Sequence, residues 1–255
     1  MPSTLPTHPL AVLPLKLWRP RWFDGVALVA GAAAPDTAYL FDRLPVPAPR
    51  HAVHAWGYEP DHLFGALWFS VPVALLVAWL IRLGAPAVAA HLGRKGGWAR
   101  DYGVLGRVRH RWWITVSSAA IGVASHLLWD LVTHPGPLTS WFAVRQTSDY
   151  ASLLLTPLFI WYAGSHRLLR DWHGTPPPVK PAPKLFWPTT AAVFTAGALV
   201  TWHLGYHGPH IVIVRLITSL MLALLTAAAV VSTRGTQRSA ANPPRAMRSM
   251  TPPRG

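Results

Sequence analysis

The 255-residue chain contains no cysteine, which excludes disulfides and thiolate metal sites. Charge of any kind is sparse: Asp, Glu, Lys and Arg make up 13% of the residues, against roughly 25% in an ordinary soluble domain. Acidic side chains are the scarcest, nine against 23 Lys plus Arg, for a formal charge of +14. The basic residues sit in short loops between apolar runs and in the tail, so anionic lipid headgroups are the expected partners and nucleic acid is not. Met1 to Pro14 lack the charged start and apolar core of a cleavable signal peptide, so insertion is expected to depend on internal spans. What abounds is apolar, with 51% hydrophobic residues and 14 Trp, whose indoles suit bilayer interfaces.

A span requires about 20 apolar residues. Leu63–Leu83 qualifies with Arg82 as its one charge, and Ile114–Val132 qualifies apart from His126 and Asp130. Ala151–Ser165 is a shorter candidate, and Phe186–Leu204 with Ile211–Val231 forms a final hairpin. Val26–Ala34 is too short to cross and is expected to be a packed or re-entrant helix ending at Pro35-Asp36. The expected fold class is therefore all-α: a polytopic membrane helical bundle of about five transmembrane helices plus that short N-terminal element. Residues 1–170 form the expected membrane domain and 171–185 a Pro-rich linker. Residues 186–232 are then the two-helix hairpin and 233–255 a disordered basic tail.

Charge asymmetry orients the spans. Gly84–Arg111, Arg167–Lys184 and the tail are rich in Lys and Arg and fall on one side of a five-span arrangement, so they are expected to be cytoplasmic in a multi-pass cell-membrane protein. Arg19 and Arg21 dissent, because the same arrangement places them outside. His62 and His134 would both lie at the outer ends of their spans.

The stretch Ser125-His-Leu-Leu-Trp-Asp-Leu-Val-Thr-His-Pro-Gly136 places His126, Asp130 and His134 four residues apart at the end of an apolar segment. Ionisable groups at membrane depth are costly and mark functional sites. Steps of four advance about 400° around a helix, so the three drift only about 80° across one face. His126 and Asp130, one turn apart, can share an ion, as helical zinc motifs do. His134 lies about 12 Å along the axis from His126. It also precedes Pro135, which biases it out of the helix and lets it curl back or serve a second ion. Further ligands must come from elsewhere: His8 and Asp36 in the N-terminal segment, and His62 at the first span. Without cysteine the ion is expected to be zinc, or else manganese or iron. The alternative is a buried His/Asp ion pair that locks helices together. His203, His207 and His210 read as interfacial loop histidines, and His51 and His54 as loop residues. Arg145, Gln146 and Ser148 read as solvated, with an anion-binding role as the alternative.

Thr7-His-Pro, Gly31-Ala-Ala-Ala-Pro-Asp36, a His opening the first long span, and Ser-His-Leu-Leu-Trp-Asp-x-x-Thr-His-Pro-Gly together resemble a bacterial membrane family known as domain of unknown function 4184. The resemblance covers about residues 1–165. More distantly the pattern is similar to inner-membrane metal-dependent hydrolases, whose His and Asp ligands recur in a similar order. That likeness implies a hydrolase at the outer interface, with a phosphoester or lipid-like substrate suggested by location. His8, Asp36, His62, His126, Asp130 and His134 would hold one or two ions, and Asp36 or Asp130 would act as general base. A non-enzymatic membrane protein with a structural His/Asp network or structural metal is the alternative.

Overall fold

Inside a bilayer an apolar run satisfies its backbone only as a helix, and the computed structural model is helical throughout its regular elements. It describes residues 7–41, 44, 65–93, 97–133, 142–205 and 208–241, and no strand occurs among them. Two short helices come first, α1 (Thr7–Trp18) and α2 (Gly25–Ala33), followed by a 3-10 segment, Pro35–Phe41. A π-helical turn, Ala66–Ser70, leads into α3 (Val71–Leu92), and a 3-10 run, Trp98–Gly106, leads on to α4 (Trp112–Thr133). Then come α5 (Phe142–Ser165), the single-turn α6 (Leu168–His173), α7 (Pro183–His203) and α8 (Pro209–Ala241).

Among the described residues four helices are long and apolar enough to cross a membrane: Leu67–Leu92, Trp112–Val132, Pro183–His203 and Pro209–Arg234. The 24-residue α5 is long enough, but Arg145, Gln146, Ser148 and Asp149 near its start leave it less apolar than the others. The expected elements are present with shifted bounds. The first span ends at Leu92 rather than Leu83, since nothing before Gly93 breaks the helix at residue 84. The shorter candidate Ala151–Ser165 is longer than expected, since its helix already begins at Phe142. Residues 233–241, expected in the tail, extend α8.

The element that organises the site is the α1–α2 hairpin. At nine residues α2 is about 13 Å long, far short of the roughly 30 Å of a bilayer core. It is apolar on every side, the pattern of a buried helix, and it packs against α1, α3 and α4. The contact with α4 is close because both faces are small. A Cβ added at Gly31 would lie 2.2 Å from the Ala119 carbonyl oxygen, and one at Gly122 would lie 2.3 Å from that of Leu28. Ala27, Ala30, Ala34, Ala74, Ala78 and Ala119 build the surrounding core. Small residues let backbones approach where lipid gives helices no hydrophobic reason to associate.

This hairpin removes the dissent of Arg19 and Arg21. Asp24 beside them donates its amide to Ser118 Oγ (2.9 Å) in the first turns of α4. The α1–α2 turn therefore lies at the end of the bundle that also carries Arg109 and Arg111. Trp18, Trp22, Trp112 and Trp113 are exposed there, as interfacial indoles are.

Candidate metal centre

The opposite end of the hairpin carries the histidines and carboxylates. His8 stands in the first turn of α1 and Asp36 in the 3-10 segment after α2. His126 and Asp130 lie one turn apart near the end of α4. Thr7 Oγ1 donates to Ser152 Oγ on α5 (2.9 Å), tying down the start of α1 next to His8. Pro35 ends α2 in a tight 3-10 turn and sets Asp36 against α4. All four side chains are buried, with residue exposures of 0% for both histidines and 5% for both aspartates.

Their reactive atoms converge. His126 Nε2 is 3.1 Å from Asp130 Oδ2 and 4.0 Å from Asp36 Oδ1, while His8 Nε2 is 3.5 Å from Asp130 Oδ1. The ligand atoms of His8, His126 and Asp130 all lie within 4.8 Å of one another. Two ligands at about 2.1 Å from a tetrahedral ion stand about 3.4 Å apart, so these spacings fit a shared cation. The His8 and His126 rings are stacked, centroids 3.7 Å apart and planes 21° from parallel.

The tautomer of His126 follows from its other nitrogen. Nδ1 lies 2.7 Å from the Ala32 carbonyl oxygen, which can only accept, so Nδ1 carries the proton. Nε2 then turns a lone pair toward a carboxylate oxygen, and two lone pairs at 3.1 Å repel unless a proton or a metal cation lies between them. A backbone carbonyl orienting a ligating histidine through its far nitrogen is the usual support of metal sites.

Of the six residues expected to hold metal, the structure brings together His8, Asp36, His126 and Asp130. His62 and His134 lie outside the described residues. His203 and His210 take no part in the cluster: His210 packs edge-on against Tyr39, centroids 4.8 Å apart. His51, His54 and His207 also lie outside the described residues. The side chain of Gln146 is exposed and that of Ser148 half-buried.

The sequence reading missed a second buried polar layer, at the other end of the hairpin. Asp24 is wholly buried, caps α2 by accepting from the Ala27 amide (3.3 Å), and pairs with Arg82 of α3. Thr115 Oγ1 donates to Asp24 Oδ2 (2.8 Å). Burial pushes the Asp24 carboxyl up, but Arg82, the Thr115 hydroxyl and the Ala27 amide outweigh it and hold it below the usual carboxylate range. Lys16 is satisfied by the carbonyls of Pro20 (2.6 Å) and Phe23 (2.8 Å). Two signals pointed there: Arg82 as the sole charge of its span, and Asp immediately before an apolar run, the mark of an N-cap.

Fold and cluster together define an all-α polytopic membrane protein with a buried His/Asp cluster at one end of an inserted helical hairpin. Residues 1–148 match the family described as Domain of unknown function (DUF4184), and the chain belongs to that family. The match contains every residue of the cluster. No curated protein and no solved structure matches the chain.

Proposed function

We propose that the cluster is a divalent metal site of a membrane-embedded hydrolase, with zinc the favoured ion and manganese or iron the alternatives. The observation that carries this reading is the convergence of His126 Nε2 and His8 Nε2 on the two oxygens of the Asp130 carboxylate, at 3.1 and 3.5 Å. A cation answers all three at once. His8, His126 and Asp130 would hold it, and Asp36, 4.0 Å from His126 Nε2, is placed to complete the shell or to take a proton as general base. When bound, such an ion lowers the pKa of a coordinated water toward 7 and polarises a scissile group. The basic end of the bundle, now including Arg19 and Arg21, supports a cluster on the outer side of the cell membrane. Headgroup depth favours a phosphoester or lipid-like substrate.

The stacked His8 and His126 rings favour a second reading, a structural network in which a proton rather than a metal bridges His126 and Asp130 and no reaction occurs. Metal content of the detergent-purified protein by mass spectrometry separates the two. Near-stoichiometric metal that is lost in both His126→Ala and Asp130→Ala supports the metal site and opens a screen of phosphoesters and lipids. A wild-type protein that stays metal-free after refilling with divalent ions overturns it.

A further inference from the structure

A cavity of about 250 Å³ lies beside the Asp24–Arg82 pair, lined by Trp79, Arg82, Gly106, Arg109, His110 and Thr115 among others. That is well above the roughly 10–15 Å³ that a single water needs. Arg82 and His110 both line it, and Arg82 Nε and His110 Nε2 are buried beside it with no hydrogen-bond partner among the described residues. Arg82 is always a donor there. A buried donor left unmet is costly, so the site favours an acceptor that the described residues do not supply.

The charge of the wall narrows the choice. Asp24 cancels Arg82, and His110 is kept neutral, since burial and the nearby Lys16 and Arg82 outweigh Asp24 and hold it below its ordinary value. Arg109, exposed at the mouth, leaves a net charge of one. A monoanion therefore fits better than a dianion. Depth narrows it further: the exposed indoles of Trp112 and Trp113 follow His110 by two and three residues and mark the bilayer interface. Thr115 and Asp130 are 15 residues apart on α4, about 22 Å, so this cavity is separate from the His/Asp cluster and independent of its function.

We infer that the cavity binds the phosphodiester of a membrane phospholipid headgroup, with Arg82, His110 and Arg109 of its lining as the donors. The test is native mass spectrometry of the delipidated full chain in detergent. Phosphatidylglycerol, diacylglycerol with the same acyl chains, and inorganic phosphate are added in separate titrations. Phosphatidylglycerol is expected to bind one to one and diacylglycerol not to bind. Arg109→Gln and His110→Gln should each weaken that binding about tenfold, the loss of one charge-assisted hydrogen bond. Arg107→Gln, an exposed neighbour off the wall, should leave it unchanged. Thermal melting confirms that each variant is folded, and Arg109→Gln decides alone should His110→Gln unfold. Equal binding of diacylglycerol, equal weakening by Arg107→Gln, or saturation by inorganic phosphate with no lipid retained would overturn the inference.

Discussion

The two ends of the α1–α2 hairpin are both buried and polar, yet they are built from different chemistry. At the basic end, fixed charges meet: Arg82 answers Asp24, Thr115 and the Ala27 amide add hydrogen bonds, and Lys16 rests on two carbonyls. At the other end imidazoles meet carboxylates, with atoms of His8, Asp36, His126 and Asp130 at 3.1 to 4.0 Å. The first set is complete in charge, with only the Arg82 Nε donor left to spare. The second rests on the Ala32 carbonyl at His126 Nδ1 and on a proton or cation shared between His126 and Asp130. Ionisable groups in a membrane therefore divide by what they ask for: fixed opposite charges neutralise one another and leave at most a spare donor, whereas a His/Asp set asks for a proton or a cation.

Breaking the complete set should have the largest effect. Arg82→Met strands Asp24 as an uncompensated buried carboxylate, and removal of one partner of such a pair costs about 3–5 kcal/mol. Thermal melting in detergent should show a large destabilisation that the double variant Arg82→Met/Asp24→Asn recovers in good part. A single variant as stable as the wild type would mean that the pair is solvated. Gly122→Val comes next, because its side chain meets the Leu28 carbonyl and the Ala32 amide rather than a flexible neighbour. Overpacking of this kind costs about 1–3 kcal/mol, and the loss should appear as a lower melting temperature. It should also move α2, so the His126 bond to Ala32 and any metal retention should weaken with it. Retained metal in a destabilised Gly122→Val protein would separate the cluster from the hairpin.

The same division explains what the sequence revealed. Span number and type follow from apolar length, and His126 and Asp130 were conspicuous as a helical i, i+4 pair inside one. His8 and Asp36 came from motif context, and the fold supplied what spacing could not: a hairpin short enough to bring the first turn of α1 and the exit of α2 to one depth. The Asp24–Arg82 pair joins residues 58 positions apart, and no local period encodes such a partner. The glycines that let α2 approach α4 read in sequence as ordinary apolar-run residues, although Gly31 and Gly122 set the distance on which the Ala32 to His126 bond depends. Helix ends were misjudged wherever the apolar run stopped before the helix did, as at Leu92 and Ala241.

Titration gives the gentlest probe of the basic end. His173 at the end of α6 is half-buried, and burial together with Lys16 and His110 lowers its pKa to about 4. His110 is lowered as well, first by burial. Both bind a proton more readily in the unfolded chain, near the ordinary 6.5, than in the fold. The unfolded state therefore takes up protons first as the medium acidifies, and stability falls from about pH 6.5 toward pH 4. Above pH 6.5 neither group titrates in either state, and their contribution is flat. His173→Gln should shallow the acid limb of the melting-temperature profile and leave its neutral plateau in place. An unchanged acid limb would show that the imidazole stays solvated and that the two histidines do not sense Lys16. The substitution should also leave any metal retained at neutral pH untouched, since His173 senses Lys16, His110 and Asp24 of the basic end.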